Sequence, residues 1–264
     1  MFGFFGKKKR IPPLDAPRIQ RHCGLTAAVY RQVDSTNEIA KAFARQGAPA
    51  YTTVVAASQT AGKGRGDHSF FSPEGTGVYI SVILRPAVMP LNPAEVTAAA
   101  GVAAAETVEA LSQKKAAIKW MNDIYLDGKK VAGILAESSF TQEGPFIVVG
   151  VGFNLTDPEE GFPEEFSCRA ASVFGAAKIG DSRERAVITF FRKLESRMRS
   201  AEEDTYRAYR KRLFILGRRV EWQGREAAVT DLDGEYRLEL TFDDGEKRLL
   251  DSGEVSLPVY PEKQ

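Results

Sequence analysis

The sequence predicts an α+β fold in which a mixed β-sheet is backed by helices and followed by a small C-terminal β-barrel. Three observations carry this. Strand-length apolar runs alternate with helix-length segments up to residue 212. Asp127-Gly128 stands between β-prone runs, the signature of a two-residue hairpin. Beyond Gly217 the pattern changes to tight turns at short intervals: Gln223-Gly224, Asp233-Gly234, Asp243-Asp244-Gly245 and Ser252-Gly253. Five short strands at that spacing suggest a barrel.

Residues 1–24 are basic and proline-containing and read as a tail or short lead-in. Residues 25–215 form the main domain and residues 216–264 the C-terminal one. Ser35-x-x-Glu38 is a capping box opening a helix through Ala40, Phe43 and Ala44 that stops at Gly47. Thr53 to Ser58 is a buried-type strand that delivers Gln59 into a glycine loop, and Gly77 to Leu84 is another strand. Pro93 to Leu111 is alanine-rich, opens with proline and glutamate, and is a long, packed helix. Ala117 to Trp120, Asp123 to Leu126 and Val131 to Ala136 are strands, and Phe146 to Val151 fits a central one. Residues 157–181 read as loop. Arg183 to Arg199 and Glu202 to Arg212 are amphipathic helices with a solvated charged face.

Composition narrows the function. The 264 residues carry a net charge of +1, which argues against bulk electrostatic binding to nucleic acid. No apolar run approaches membrane-spanning length. Met1 to Arg10 lacks the apolar core of a signal peptide. Cys23 and Cys168 have no metal-like or paired spacing and read as free thiols in a reducing cytoplasm. His22 and His68 are isolated, and no side-chain metal site can be argued.

Two stretches carry chemistry. Gln59-Thr-Ala-Gly-Lys-Gly-Arg65 alternates glycines with cations. Glycine lets a ligand approach the backbone, successive N–H groups form an anion-binding concavity, and Lys63 and Arg65 add charge. This suits a phosphate or a carboxylate, but the Walker spacing is absent. The second stretch runs from Lys119 to Glu137 across the hairpin. It starts one strand at Asn122 and Asp123 and the returning strand at Lys130. Gly133 marks a close approach of a ligand or another backbone.

On these residues the chain resembles the biotin protein ligases. The matching pieces are Asp34-Ser-Thr-Asn37, Gln59 to Arg65, Phe71-Ser-Pro73, the run 119–137, and Gly150-Val-Gly-Phe-Asn154, in the family's order over roughly residues 30 to 155. The hairpin motif is the most specific of them. The resemblance implies a catalytic domain like that of class II aminoacyl-tRNA synthetases and an SH3-like C-terminal domain. It implies an enzyme that joins biotin to ATP as biotinyl-5′-AMP, with Mg²⁺ on the phosphates. Biotin then passes to a lysine of the biotin carboxyl carrier domain of a carboxylase such as acetyl-CoA carboxylase.

Carried over by position, Lys130, Arg65 and Asp123 are catalytic. Ser35, Thr36, Asn37, Gln59, Lys63, Gly64, Arg65, Lys130 and Gly133 contact biotin. Lys63, Arg65, Phe70, Asn122, Lys130 and Asn154 contact the nucleotide. Asp123 holds the metal, orients Lys130 or takes a proton from the incoming lysine. Trp120 reads as core packing, and one of Phe70 and Phe71 faces inward while the other lines the pocket.

The family's second Gly-Arg pair is replaced by Gly66-Asp67-His68, and its Lys-Trp-Pro-Asn-Asp becomes Lys-Trp-Met-Asn-Asp. Too few residues precede the catalytic region for a DNA-binding domain, so a monofunctional cytoplasmic ligase is expected. No DNA or membrane partner is expected, and a free sheet edge leaves a homodimer open. The rivals are a lipoate or octanoate ligase of the same superfamily and a non-catalytic biotin sensor.

Overall fold

The computed structural model describes residues 12–257 apart from 25, 67, 88–91, 143, 178 and 254. The basic segment Met1 to Arg10 and Asp67 lie outside the described residues.

The chain runs α1 (Ala16–Cys23), β1 (Ala27–Tyr30), α2 (Thr36–Arg45), β2 (Thr53–Ala56), β3 (Gly77–Leu84), α3 (Pro93–Ser112), β4 (Ala117–Lys119), β5 (Asp123–Leu126), β6 (Lys129–Thr141) and β7 (Gly144–Asn154). After these come α4 (Glu164–Ser167), α5 (Ser182–Met198), α6 (Glu202–Arg212), β8 (Arg219–Trp222), β9 (Arg225–Leu232), β10 (Leu238–Phe242) and β11 (Lys247–Leu250). The first seven strands make one mixed sheet in the order β1-β2-β3-β7-β6-β5-β4. Its β1–β2 pair is parallel and its other neighbours are antiparallel. β7 is the middle strand, as its unbroken apolar run predicts.

Alternation along the central strands gives this sheet two unlike faces. Val78, Ile80, Val82, Val149, Val151 and Phe153 point into the main core, shared with α3 and α5. On the opposite face Ile83 and Val148 pack under Ala40 and Ala44 of α2 at one end. Toward the other end that face carries Gly150 and Gly152, with Ser81 paired to Gly150, Tyr79 to Gly152, and Gly133 of β6 also paired to Gly152. Gly150 lies beneath Asn37 in the first turn of α2, and Gly152 and Gly133 lie beneath Phe70.

Several expectations change. β6 is twice the expected length, and its hairpin with β7 extends past the sheet. α1 falls inside the segment read as a lead-in. Asp15 caps it by accepting from Arg18 N, proline stands in its first turn, and Ile19 and Cys23 are buried. A Ser/Thr/Asp cap followed by proline was the available signal. The solvated reading of residues 183–212 fails at Arg183, which is 1% exposed and donates to Pro12 O at 2.6 Å.

Among the described residues the C-terminal segment forms four strands where five were expected, as an antiparallel sheet β11-β10-β9-β8 extended by a bridge between Glu221 and Ser256. Trp120 fixes it to the core: its ring is buried, and Nε1 donates to Tyr236 O at 2.9 Å.

Candidate active site

A cavity of about 760 Å³ opens over the glycine-bearing face. Its floor is flat because a side chain there would collide. A Cβ at Gly152 would lie 2.5 Å from the Phe70 ring, one at Gly133 3.1 Å from it, and one at Gly150 2.2 Å from Asn37 Oδ1. The Phe70 ring thus rests on β6 and β7, edge to face with Tyr79 at 6.2 Å. Phe71 also borders the cavity, against Phe162 at 6.5 Å. Neither is inward-facing core, because residues 68–71 run as extended loop rather than as a strand with two faces.

The first turn of α2 forms one wall. Ser35 occupies the N-cap position, but its side chain makes no capping hydrogen bond. Gln59 does that work instead: its Oε1 accepts from Thr36 N at 2.8 Å and from Thr36 Oγ1 at 3.1 Å. Gln59 Nε2 donates to Ser72 Oγ at 3.1 Å, which fixes the sense of the amide. Buried Ser81 Oγ lies 2.8 Å from Thr36 Oγ1 and 2.6 Å from Asn37 Oδ1. Asn37 Nδ2 donates to Glu137 Oε2 at 2.8 Å and to Leu135 O at 3.3 Å. The consecutive residues Ser35, Thr36 and Asn37 meet the distant Gln59 here as a polar pocket, in which Thr36, Asn37 and Gln59 are held by hydrogen bonds.

Lys130 reaches the cavity because the ladder slips. Ile124 pairs with Ala132 but Tyr125 pairs with Lys130, so Val131 is an extra residue. Such a bulge turns the next side chain to the other face. Val131 and Ala132 both enter the core, and Lys130 emerges beside Gly133. Its backbone is clamped by the segment just after α4, a short helix inside the stretch expected to be loop, with Lys130 N donating to Arg169 O at 2.8 Å and Lys130 O accepting from Ala171 N at 2.9 Å. Its ammonium pairs with Asp123 Oδ1 at 2.6 Å and lies 5.9 Å from the Phe70 ring centre.

Lys63, Arg65, Lys119, Lys130 and Arg169 line the cavity against the single carboxylate of Asp123 among the described residues. The site therefore attracts anions although the chain is almost neutral. The ammonium of Lys63 pairs with Glu38 of α2. Arg65 Nη1 lies 3.5 Å from Gly253 O of the C-terminal segment. Asn122 is turned toward β6, donating to Ile134 O at 2.7 Å. Asn154 donates to Ala171 O at 3.3 Å and holds the same segment that clamps Lys130. The Trp120–Met121 peptide beside them is cis.

Sequence reasoning assigned no part here to Ser81, Tyr79, Phe162 or Arg169. Nothing local distinguishes them; strand register and the return of the 155–181 segment bring them in. Glu38 was read only as half of a capping box, whereas it is an ion-pair partner. Lys41 and Lys63 hold its carboxyl down at about 2. Burial pulls Lys41 down, but its bonds to Glu38 and Glu137 outweigh that and raise it.

Comparison with known proteins agrees with this geometry. A model of the biotin/lipoate A/B protein ligase family matches residues 29–154. The biotin–[acetyl-CoA-carboxylase] ligase of Mycobacterium tuberculosis is 32% identical over 86% of this chain and 90% of that protein. The bifunctional ligase/repressor of Bacillus subtilis is 37% identical over 56% of this chain, and the chain spans only 46% of its length. A biotin protein ligase from Aquifex aeolicus, solved with biotin and ATP, has the same fold: TM-score 0.67 at 23% identity, covering 87% of this chain and 97% of that one.

Proposed function

The chain belongs to the biotin/lipoate A/B protein ligase family, and from that premise we propose that it is an ATP-dependent biotin protein ligase. A carboxylate is a poor acyl donor because its leaving group is oxide. In the proposed reaction the biotin carboxylate attacks the α-phosphate of ATP, giving biotinyl-5′-AMP and pyrophosphate. A carrier lysine then attacks the acyl carbon, loses a proton, and expels AMP. Two anions meet in the first step, so cations must stand where charge gathers.

The observation that carries this reading is Lys130. It is aimed by a bulge, backed by Asp123, and set beside the glycine floor on which the Phe70 ring lies. Lys130 is assigned the biotin carboxylate and the bridging phosphate, with Arg65 on the phosphates. The ureido ring is assigned to Ser35, Thr36, Asn37 and Gln59 with the main chain at Lys63 and Gly64. A buried ureido left unpaired loses affinity, so this pocket would reject analogues. Gly133 leaves room for the Phe70 ring and the Lys130 side chain that would meet the ligand, and Phe70, Asn122 and Asn154 are assigned to the nucleotide side. Asn122 and Asn154 would serve it through the backbone they hold.

Mg²⁺ fits as a passenger on ATP. One carboxylate at the cavity suits an ion bound mainly by phosphate and water, with Asp123 as its protein neighbour. Residues 25–215 are the proposed catalytic unit and residues 216–264 an SH3-like one, a reading supported by the antiparallel sheet and its Glu221–Ser256 bridge. The proposed partner is the biotin carboxyl carrier domain of a carboxylase, and β1 or β11, at the sheet ends, offers an edge to it or to a second copy. A cytoplasmic setting suits the free thiols Cys23 and Cys168. No helix among the described residues is long and apolar enough to cross a membrane.

The glycine loop is proposed to close over the ligand and keep water from the acyl-adenylate. Biotin with ATP should then suppress protease cleavage near Arg65; unchanged cleavage refutes closure. The primary test is biotin-dependent pyrophosphate exchange with ATP and Mg²⁺, with lipoate as competing acid. Exchange with biotin alone supports the ligase. Exchange with lipoate moves the chain to the sister ligases, and tight biotin binding without exchange makes it a sensor.

A further inference from the structure

We propose that Glu38 is a positioning residue: it holds the Lys63 ammonium against the first turn of α2 and thereby sets the main chain of Lys63 and Gly64 against the ligand pocket. This deepens the ligase reading and rests on it.

The geometry is a chain of charges from the sheet to the loop. Glu137 on β6 pairs with Lys41 Nζ at 2.9 Å, Lys41 pairs with Glu38 at 2.7 Å, and Glu38 pairs with Lys63. Glu137 also holds Asn37 at 2.8 Å, so the chain begins at a pocket residue and ends at the glycine loop. Lys41 is only 12% exposed, which limits the freedom of the whole series. A carboxylate in the first helical turn is favoured there by the helix dipole.

The loop needs such a tie. Its entry is held by main-chain bonds, Thr60 N to Val33 O and Ala61 N to Asp34 O, both at 2.9 Å. Beyond Gly62 its main-chain bonds among the described residues, Gly64 N to His68 O at 2.7 Å and Phe70 N to Gly62 O at 2.9 Å, close the loop on itself. The Lys63–Glu38 pair joins that closed turn to α2. Lys63 then serves the ligand through its main chain, and its ammonium serves as an anchor and not as a phosphate clamp.

The test compares Glu38→Gln, Lys63→Gln and the double variant in the full chain, by two readouts. Hydrogen exchange of residues 60–66 in the ligand-free protein reports the anchor directly. Pyrophosphate exchange separates KM for biotin from kcat. Glu38 is half-exposed and glutamine keeps its shape, so the variant should fold. Glu38→Gln is expected to speed exchange of the loop and to raise KM for biotin about three- to fivefold, the scale of a surface-edge ion pair. It should leave kcat within about twofold, and add nothing in the Lys63→Gln background. Unaltered loop exchange in Glu38→Gln, or full additivity of the two changes, overturns the proposal. If wild type shows no biotin-dependent exchange, the ligase reading fails, while loop exchange still decides whether Glu38 anchors Lys63.

Discussion

Two of the lysines that line the cavity, Lys130 and Lys63, both stand beside glycines, yet they are held by opposite means. Lys130 is positioned by backbone: a bulge, a strand on one side, and the 169–171 segment on the other. Lys63 sits in a turn bonded mainly to itself and is tied to the core through a charged side chain. Backbone pairing is present with or without ligand and cannot be screened. An ion pair half open to solvent is weak and depends on pH and salt. The hairpin is thus the fixed half of the site and the glycine loop the adjustable half, which suits an enzyme that must admit substrate and then exclude water.

The comparison can be broken most forcefully at the fixed half. Lys130→Ala should lower pyrophosphate exchange by about 10²- to 10³-fold, the scale of losing one charge-stabilising group, while the fold survives. Exchange rates and a thermal melt of the variant decide it. A loss below about tenfold would move the chemistry onto the loop cations.

The glycine floor sharpens the contrast between rigid and yielding neighbours. A methyl at Gly150 meets Asn37 Oδ1 at 2.2 Å, and Asn37 is locked by Ser81 and Glu137. Gly150→Ala should therefore cost about 1–3 kcal/mol of stability in urea unfolding, as overpacking does. At Gly152 the obstacle is the Phe70 ring on a loop, which can swing away. Gly152→Ala should lose biotin affinity about tenfold, near the value of one misfitting methyl, with stability changed by less than about 1 kcal/mol. Calorimetric titration with biotin separates the two; equal stability losses would show Phe70 to be as fixed as Asn37.

The smallest effect belongs to the adjustable half. The carboxyl of Glu38 is depressed from 4.5 to about 2 by Lys41 and Lys63. A carboxyl depressed in the folded state contributes stability that is complete above its unfolded value and is lost as pH falls through the folded one. The melting temperature of wild type should exceed that of Glu38→Gln by a constant amount above pH 4.5, and the gap should close toward pH 2. The half-exposed carboxylate is screened by solvent, which limits that gap to about 1 kcal/mol. A gap that grows on acidification would contradict the pairing.

Much of this was legible in the chain. Asp127-Gly128 announced a hairpin because positive φ at both positions, 50° and 79°, is what such a turn demands. Pro93 marked the start of α3, and the apolar run at 146–151 marked the centre of the sheet. Ser35 misled because its cap position was right but its bond was not: Gln59 arrives from another strand end and takes the amide first. α1 was passed over because it is short and mostly polar, and its two buried residues, Ile19 and Cys23, find partners only in the folded core.

By itself the sequence determined the periodicities, the turns, and the residue types at the site, since these follow from local backbone preference and side-chain chemistry. It also placed Lys130 and the glycine loop in the same pocket, through motifs that resemble those of a family. Only the tertiary structure decided which face Lys130 takes, which acid Lys63 meets, and which loop clamps the hairpin. Those depend on strand register and on contacts between residues far apart in the chain. A single slipped residue at Val131 reverses a face without leaving any mark on composition or pattern.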